Sequence, residues 1–222
     1  MPRASRSGCY DLRVTILSVA GACSRSGKTA LAVTLLRALP AGSAAAVKFT
    51  ATEDVFERCP RGTPCVVCDI DVPFRLIETP AVLRQPGTDT DRLAEAGASR
   101  VIWAIAKQSA APRAWQALTE RLGRTPLVVM EGSTVVALAR PDTLFFVVHP
   151  FLSTARWKAT SGPLLRRADA AIVNLPAAET RAPAAAILDA VRRERGRDDV
   201  LVADVTRPLR EWAPALAARL AA

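Results

Sequence analysis

The run Ala22-Cys23-Ser24-Arg25-Ser26-Gly27-Lys28-Thr29 brings together the residue types that hold a phosphate chain. A phosphate is stabilised by backbone N–H donors wrapped around it, a helix N-terminus aimed at it, a cation, and a hydroxyl for the accompanying magnesium ion. Gly27 lets the backbone approach closely, Lys28 reaches the β- and γ-phosphates, and the Thr29 hydroxyl ligates Mg²⁺. Ser24, Arg25 and Ser26 fill the cradle. One position departs from the pattern G-x-x-x-x-G-K-[ST]: Ala22 stands where glycine is expected, and Gly21 comes one residue early. A glycine there ordinarily relieves crowding at the strand-to-loop turn.

Two carboxylates are candidates to complete such a site. The apolar run Leu127-Val128-Val129-Met130 ends in Glu131, followed by Gly132, which permits a sharp turn. A carboxylate at the C-terminal edge of a buried strand, beside the phosphate loop, holds the Mg²⁺ hydration shell or polarises a water. The second candidate is Asp89, in Pro86-Gly87-Thr88-Asp89-Thr90-Asp91. Asp89 and Asp91 are placed either near the magnesium ion or at the start of a helix, where a Thr or Asp accepts the free amides of the first turn. Lys48 ends a short apolar run, at the kind of strand edge where ligands gather in parallel α/β sheets.

A third constellation is cysteine-based. Cys59, Cys65 and Cys68 give C-x₅-C-x₂-C among Pro60, Gly62 and Pro64, a knuckle with three thiolates of a tetrahedral site for zinc or, less readily, an iron–sulfur cluster. The fourth ligand is left to Cys9, Cys23, Asp69, a second subunit or a bound client, and His149 is the sole histidine in the chain. The alternative is a loop of reduced thiols or a Cys65/Cys68 dithiol switch.

The elements that must position these residues alternate strand and helix. Strands are expected over 12–20, 44–49, 100–106, 126–131, 143–148, 170–174 and 200–205. Helices are expected over 28–39, from the 88–91 turn onward, and over 111–122, 183–195 and 208–220. This predicts an α/β fold, a three-layer P-loop NTPase with a mostly parallel central sheet. It is read as a flexible N-terminus over 1–11 and a single domain over 12–222, with a cysteine-containing insertion at about 54–75.

The net charge of +9 is carried almost wholly by arginine, with lysine only at positions 28, 48, 107 and 158. Clusters such as Arg192-Arg193-Glu194-Arg195 read as solvated helix faces, so nucleic acid is not an expected partner. No stretch has the length of a membrane span, and the polar start lacks the apolar centre of a signal peptide, so the expected compartment is the cytoplasm.

In order and approximate spacing, the phosphate loop, the segment from Pro86 to Ala98 and Leu127-Val128-Val129-Met130-Glu131-Gly132 resemble the MobB family. Its members are P-loop GTP-binding adaptors of molybdopterin-guanine dinucleotide biosynthesis, with a parallel sheet and usually a dimeric state. The resemblance covers roughly residues 15–148. It implies that Gly27, Lys28 and Thr29 bind nucleotide phosphates and Mg²⁺, with Asp89 and Glu131 beside them. The family typically has a Lys-His stretch after its second strand where this chain has Lys48-Phe49-Thr50, and the cysteine knuckle is not typical of it. The chain thus reads as a divergent branch.

The expected function is a nucleotide-binding, slowly hydrolysing accessory protein for cofactor or metal-centre biosynthesis, using Mg²⁺ with GTP or ATP, a protein client and a homodimeric state. An ATP-dependent small-molecule kinase is the alternative, with an arginine-rich lid over 156–167. A nucleotide-responsive binding protein with negligible turnover is a third. Asn174-Leu175-Pro176-Ala177 lacks the lysine and aspartate of the Asn-Lys-x-Asp guanine-reading motif, so the base is left open.

Overall fold

A computed structural model describes residues 14–52 and 72–221. The expected N-terminal tail and Cys59, Cys65 and Cys68 lie outside those residues.

The chain runs β1 (Thr15–Gly21), α1 (Lys28–Ala38), β2 (Ala45–Thr52), β3 (Phe74–Ile77), α2 (Pro80–Leu83) and α3 (Asp89–Glu95). It continues through β4 (Val101–Lys107), α4 (Ala111–Leu122), β5 (Leu127–Glu131), α5 (Val136–Ala139) and β6 (Thr143–Val148). Then come α6 (Ser161–Arg167), β7 (Ala170–Asn174), α7 (Ala185–Arg195), β8 (Val200–Ala203), α8 (Leu209–Trp212) and α9 (Pro214–Ala221).

The strands form one eight-stranded sheet in the order β3-β4-β2-β5-β1-β6-β7-β8. All neighbours are parallel except β3, which pairs antiparallel with β4 at one edge. The fold is a three-layer α/β architecture. Inner strands of such a sheet are buried on both faces, and alternate side chains serve the two helical layers. On β1, Leu17 and Val19 join the core beneath α1, α3, α8 and α9, while Ile16 and Ala20 face the opposite layer of α4, α6 and α7. Leu31 and Leu35 of α1 are fully buried, and truncating either to alanine costs about 2–5 kcal/mol.

Several stretches differ from the sequence expectation. β3 was not foreseen, because it has only four residues and sits at the sheet edge, where pairing comes from β4 rather than from its own pattern. It begins at Phe74, inside the stretch expected as insertion. α6 replaces the expected lid: Leu164 and Leu165 pack into the sheet, and Arg166 turns outward to Glu194 at 3.3 Å. The expected helix over 208–220 breaks at Ala213 (φ −141°, ψ 62°), because the ring of Pro214 disfavours helical backbone in the residue before it.

The strand order places β1 where the chain changes direction. β2, β3, β4 and β5 lie on one side of it, and β6, β7 and β8 on the other. Loops leaving adjacent strands at such a point diverge and open a crevice at the carboxyl ends of the strands.

Candidate functional site

The crevice is a cleft of about 1030 Å³, bordered by the 24–29 loop, Lys48, Asp89, Glu131 and Lys158 among others. One wall is the loop between β1 and α1. Gly27 is the N-cap of α1 with a left-handed backbone (φ 104°), and a Cβ there would lie 2.3 Å from Asn174 Nδ2. Arg25 is also left-handed (φ 60°). Among the described residues no protein acceptor is paired with the backbone amides of 24–29, which lie at and just before the N-terminus of an eleven-residue helix. That is the feature a phosphate chain needs, and the residues present fit one.

The glycine that came early in the sequence is the one the packing requires. A Cβ on Gly21 would lie 2.9 Å from the backbone oxygen of Val147 and 2.5 Å from Ser26 Oγ. Ala22, by contrast, is fully buried with its methyl in the core. Its N–H donates to the Val147 oxygen at 3.1 Å and its own oxygen accepts from Lys158 N at 2.8 Å, so neither faces the cleft. Cys23 is buried, and burial pushes its thiol pKa up despite Lys28, Lys158 and Arg156 nearby. The Ser26 hydroxyl is buried beneath the loop without a partner, against the backbone of Gly21, which leaves Ser26 only its amide to offer. Ser24 and Arg25 are exposed at the loop's crest.

Lys28 Nζ donates to the Cys23 carbonyl at 2.9 Å, folding the side chain back over the loop. Burial lowers its pKa. Glu131 opposes that shift, while Lys158 and Lys48 add to it.

The opposite wall is built by strand register. Lys48 on β2 is the Cα partner of Glu131 on β5, and Glu131 is in turn the partner of Val19 on β1. Both charged side chains therefore point to the α1 side of the sheet, in a row otherwise filled by apolar residues. Neither would be tolerated there unpaired. Lys48 Nζ sits 2.5 Å from Asp89 Oδ2 and 3.4 Å from Glu131 Oε2. The Thr29 hydroxyl donates to Glu131 Oε2 at 2.8 Å, joining the two walls. Burial works to lower the Lys48 pKa, but Glu131 and then Asp89 outweigh it and the ammonium is held above its ordinary value. Burial likewise works to raise the Asp89 pKa, yet Lys48, with smaller help from Thr29 and Arg92, holds the carboxyl below its ordinary value.

Thr88 caps α3, accepting from Asp91 N at 3.3 Å, so Asp89 is free to point into the cleft. Asp91 is buried and turned to Arg84, with 3.4 Å between Nε and Oδ1. Gly132 is held to glycine because a Cβ there would meet the Phe49 carbonyl at 2.7 Å. Thr29, Glu131 and Asp89 thus supply three oxygens of the kind that hold a hydrated Mg²⁺.

Asn174 has a part that no base-reading motif indicated. Its Nδ2 donates to the Ser26 carbonyl and its Oδ1 accepts from Val205 N, both at 3.3 Å, so it braces the 24–29 loop. Ser133 does the same from β5's end, bonding Gly21 N at 3.2 Å. Neither was legible, since both act through backbone groups distant in sequence. Lys48 was marked by its place at a strand edge but not by its partners.

Among the described residues there is no group of three or more His, Cys, Asp or Glu side chains placed to hold a metal ion. The Nδ1 of His149 accepts from Phe151 N at 3.1 Å and Leu152 N at 3.2 Å, which occupies that nitrogen. No described helix is long and apolar enough to cross a membrane. No protein-family model matches the chain, and no curated protein matches it.

Proposed function

We propose that the protein binds a Mg²⁺–nucleoside triphosphate in this cleft and hydrolyses it slowly, acting as an accessory protein in cofactor or metal-centre biosynthesis. The molybdopterin-guanine dinucleotide type of cofactor comes from the resemblance to the MobB family. The observation that carries the nucleotide reading is the Thr29–Glu131 bond of 2.8 Å beside the left-handed Gly27 at the N-terminus of α1.

On this reading the 24–29 amides and Lys28 bind the phosphates, Lys28 exchanging its contact with the Cys23 carbonyl for phosphate oxygens. Thr29 and Glu131 would hold Mg²⁺, with Asp89 as a further oxygen donor on the same side of the cleft. Bound Mg²⁺ supplies charge neutralisation to the transferring phosphoryl group. Lys48 fixes both carboxylates in place. Slow turnover fits the electrostatics: a carboxyl held below its ordinary pKa by Lys48 is a weak base for activating water. A cytoplasmic homodimer serving a protein client, with Cys59, Cys65 and Cys68 sensing or carrying zinc or an iron–sulfur cluster, belongs to the same reading.

One observation favours a second reading. The cleft continues past Lys48 to Thr50, Trp103 and the 85–88 loop, leaving room for an acceptor beside the terminal phosphate, as a small-molecule kinase requires.

The test is turnover of GTP and ATP by protein purified anaerobically under reducing conditions, with metal analysis of the same sample. Slow phosphate release that disappears in Lys28→Ala supports the accessory NTPase. Turnover only on addition of a hydroxylated small molecule, with a phosphorylated product, replaces it by the kinase.

A further inference from the structure

Lys158 is unused by the mechanism above. It follows a short 3-10 turn over Thr154–Arg156 and precedes α6, and its backbone N–H donates to the buried Ala22 carbonyl at 2.8 Å. Ser161 Oγ donates to the same carbonyl at 3.3 Å. Two donors from one turn thus clamp the 158–161 segment to the first residue of the phosphate loop. The Lys158 side chain borders the cleft along with Ser24 and Lys28. It makes no ion pair or side-chain hydrogen bond within the described residues, whereas Lys48 has two carboxylates and Lys28 rests on the Cys23 carbonyl. Lys28, Lys48, Glu131 and Lys158 all line the cleft.

We propose that Lys158 is a second phosphate-binding cation, which engages the terminal phosphate of a bound nucleoside triphosphate and makes the site selective for triphosphates over diphosphates. The inference rests on the nucleotide-binding reading. Among the described residues the Lys158 ammonium has no compensating anion, and each phosphate added to the ligand supplies one. The backbone clamp on Ala22 fixes where the ammonium emerges, and it survives any substitution at 158 other than proline.

The experiment is calorimetric titration of ATP, ADP, GTP and GDP, each with Mg²⁺, into the wild type, Lys158→Ala, Lys158→Arg and Lys28→Ala. Lys158→Ala is expected to weaken triphosphate binding about tenfold or more while changing diphosphate binding less than about twofold, the range for loss of one hydrogen bond to a charged group. Lys158→Arg restores most of the preference, and the thermal midpoint stays at the wild-type value. Equal losses for di- and triphosphate, or no loss while Lys28→Ala abolishes binding, overturn the role of Lys158 and leave the nucleotide reading intact. A wild type that binds none of the four overturns both.

Discussion

The two walls of the cleft are held in shape by different means. The β1–α1 wall is made of backbone: left-handed Gly27 and Arg25, a Gly21 with no room for a Cβ, and carbonyls pinned by Asn174, Lys158 and Ser161. The β2–β5–α3 wall is made of charge, with Lys48 between Asp89 and Glu131 on strands otherwise apolar. Substitution should therefore break the first wall sterically and the second electrostatically.

The largest effect is expected at Gly27. Alanine there places a Cβ against Asn174 at 2.3 Å in a backbone region L-residues avoid, and triphosphate affinity should fall at least about 100-fold as the loop is displaced. Adding Asn174→Ala relieves the clash but not the φ, so partial recovery in the double variant separates the two causes. Wild-type affinity in Gly27→Ala would erase the distinction between the walls.

Next is Lys48→Met, which leaves two carboxylates facing each other. A largely buried pair broken on one side costs about 3–5 kcal/mol, and the 42% exposure of the Asp89 side chain reduces this to about 2 kcal/mol, measured by denaturant unfolding. Adding Glu131→Gln should recover part of that loss. If Lys48→Met is neutral, the second wall is not held by charge.

Asn174→Ala should cost about 1–2 kcal/mol, because the Ser26 carbonyl and Val205 amide each lose a partner. That cost should be the same in the wild type and in a Lys48→Met background, since Asn174 acts on the first wall alone.

What the sequence made legible follows the same division. The strand–loop–helix around 22–29 could be read because its residues are consecutive, and the place of Glu131 at a strand end because an apolar run finishes in that carboxylate. The α/β alternation could be read for the same reason. The Lys48–Glu131 partnership depends on β2 and β5 being neighbours in register, and the Asn174 and Lys158 contacts on β6 and β7 lying beyond β1. Long-range topology of that kind leaves no local pattern. Gly21 shows the limit in the other direction: the motif placed the glycine at 22, but the Val147 carbonyl across the β1–β6 pair places it at 21.

The smallest effect is in pH dependence. Asp89 is held below its ordinary 3.8, so its contribution is present above that pH and is lost as pH falls through the lower folded value. Lys48 is held above its ordinary 10.5, so its contribution is present below that pH and lost as pH rises through the higher folded value. The stability difference between wild type and Asp89→Asn should accordingly be flat between roughly pH 5 and pH 9 and shrink on the acid side. A difference that varies steeply near neutrality would show that another group governs this wall.

The most direct measurement is triphosphate affinity in the presence of Mg²⁺ and of a chelator, in the wild type and in Glu131→Gln. If Thr29 and Glu131 hold the ion that joins the two walls, chelation weakens wild-type binding strongly and affects Glu131→Gln much less. Binding that is absent in the wild type, or equally tight without Mg²⁺, would contradict the account.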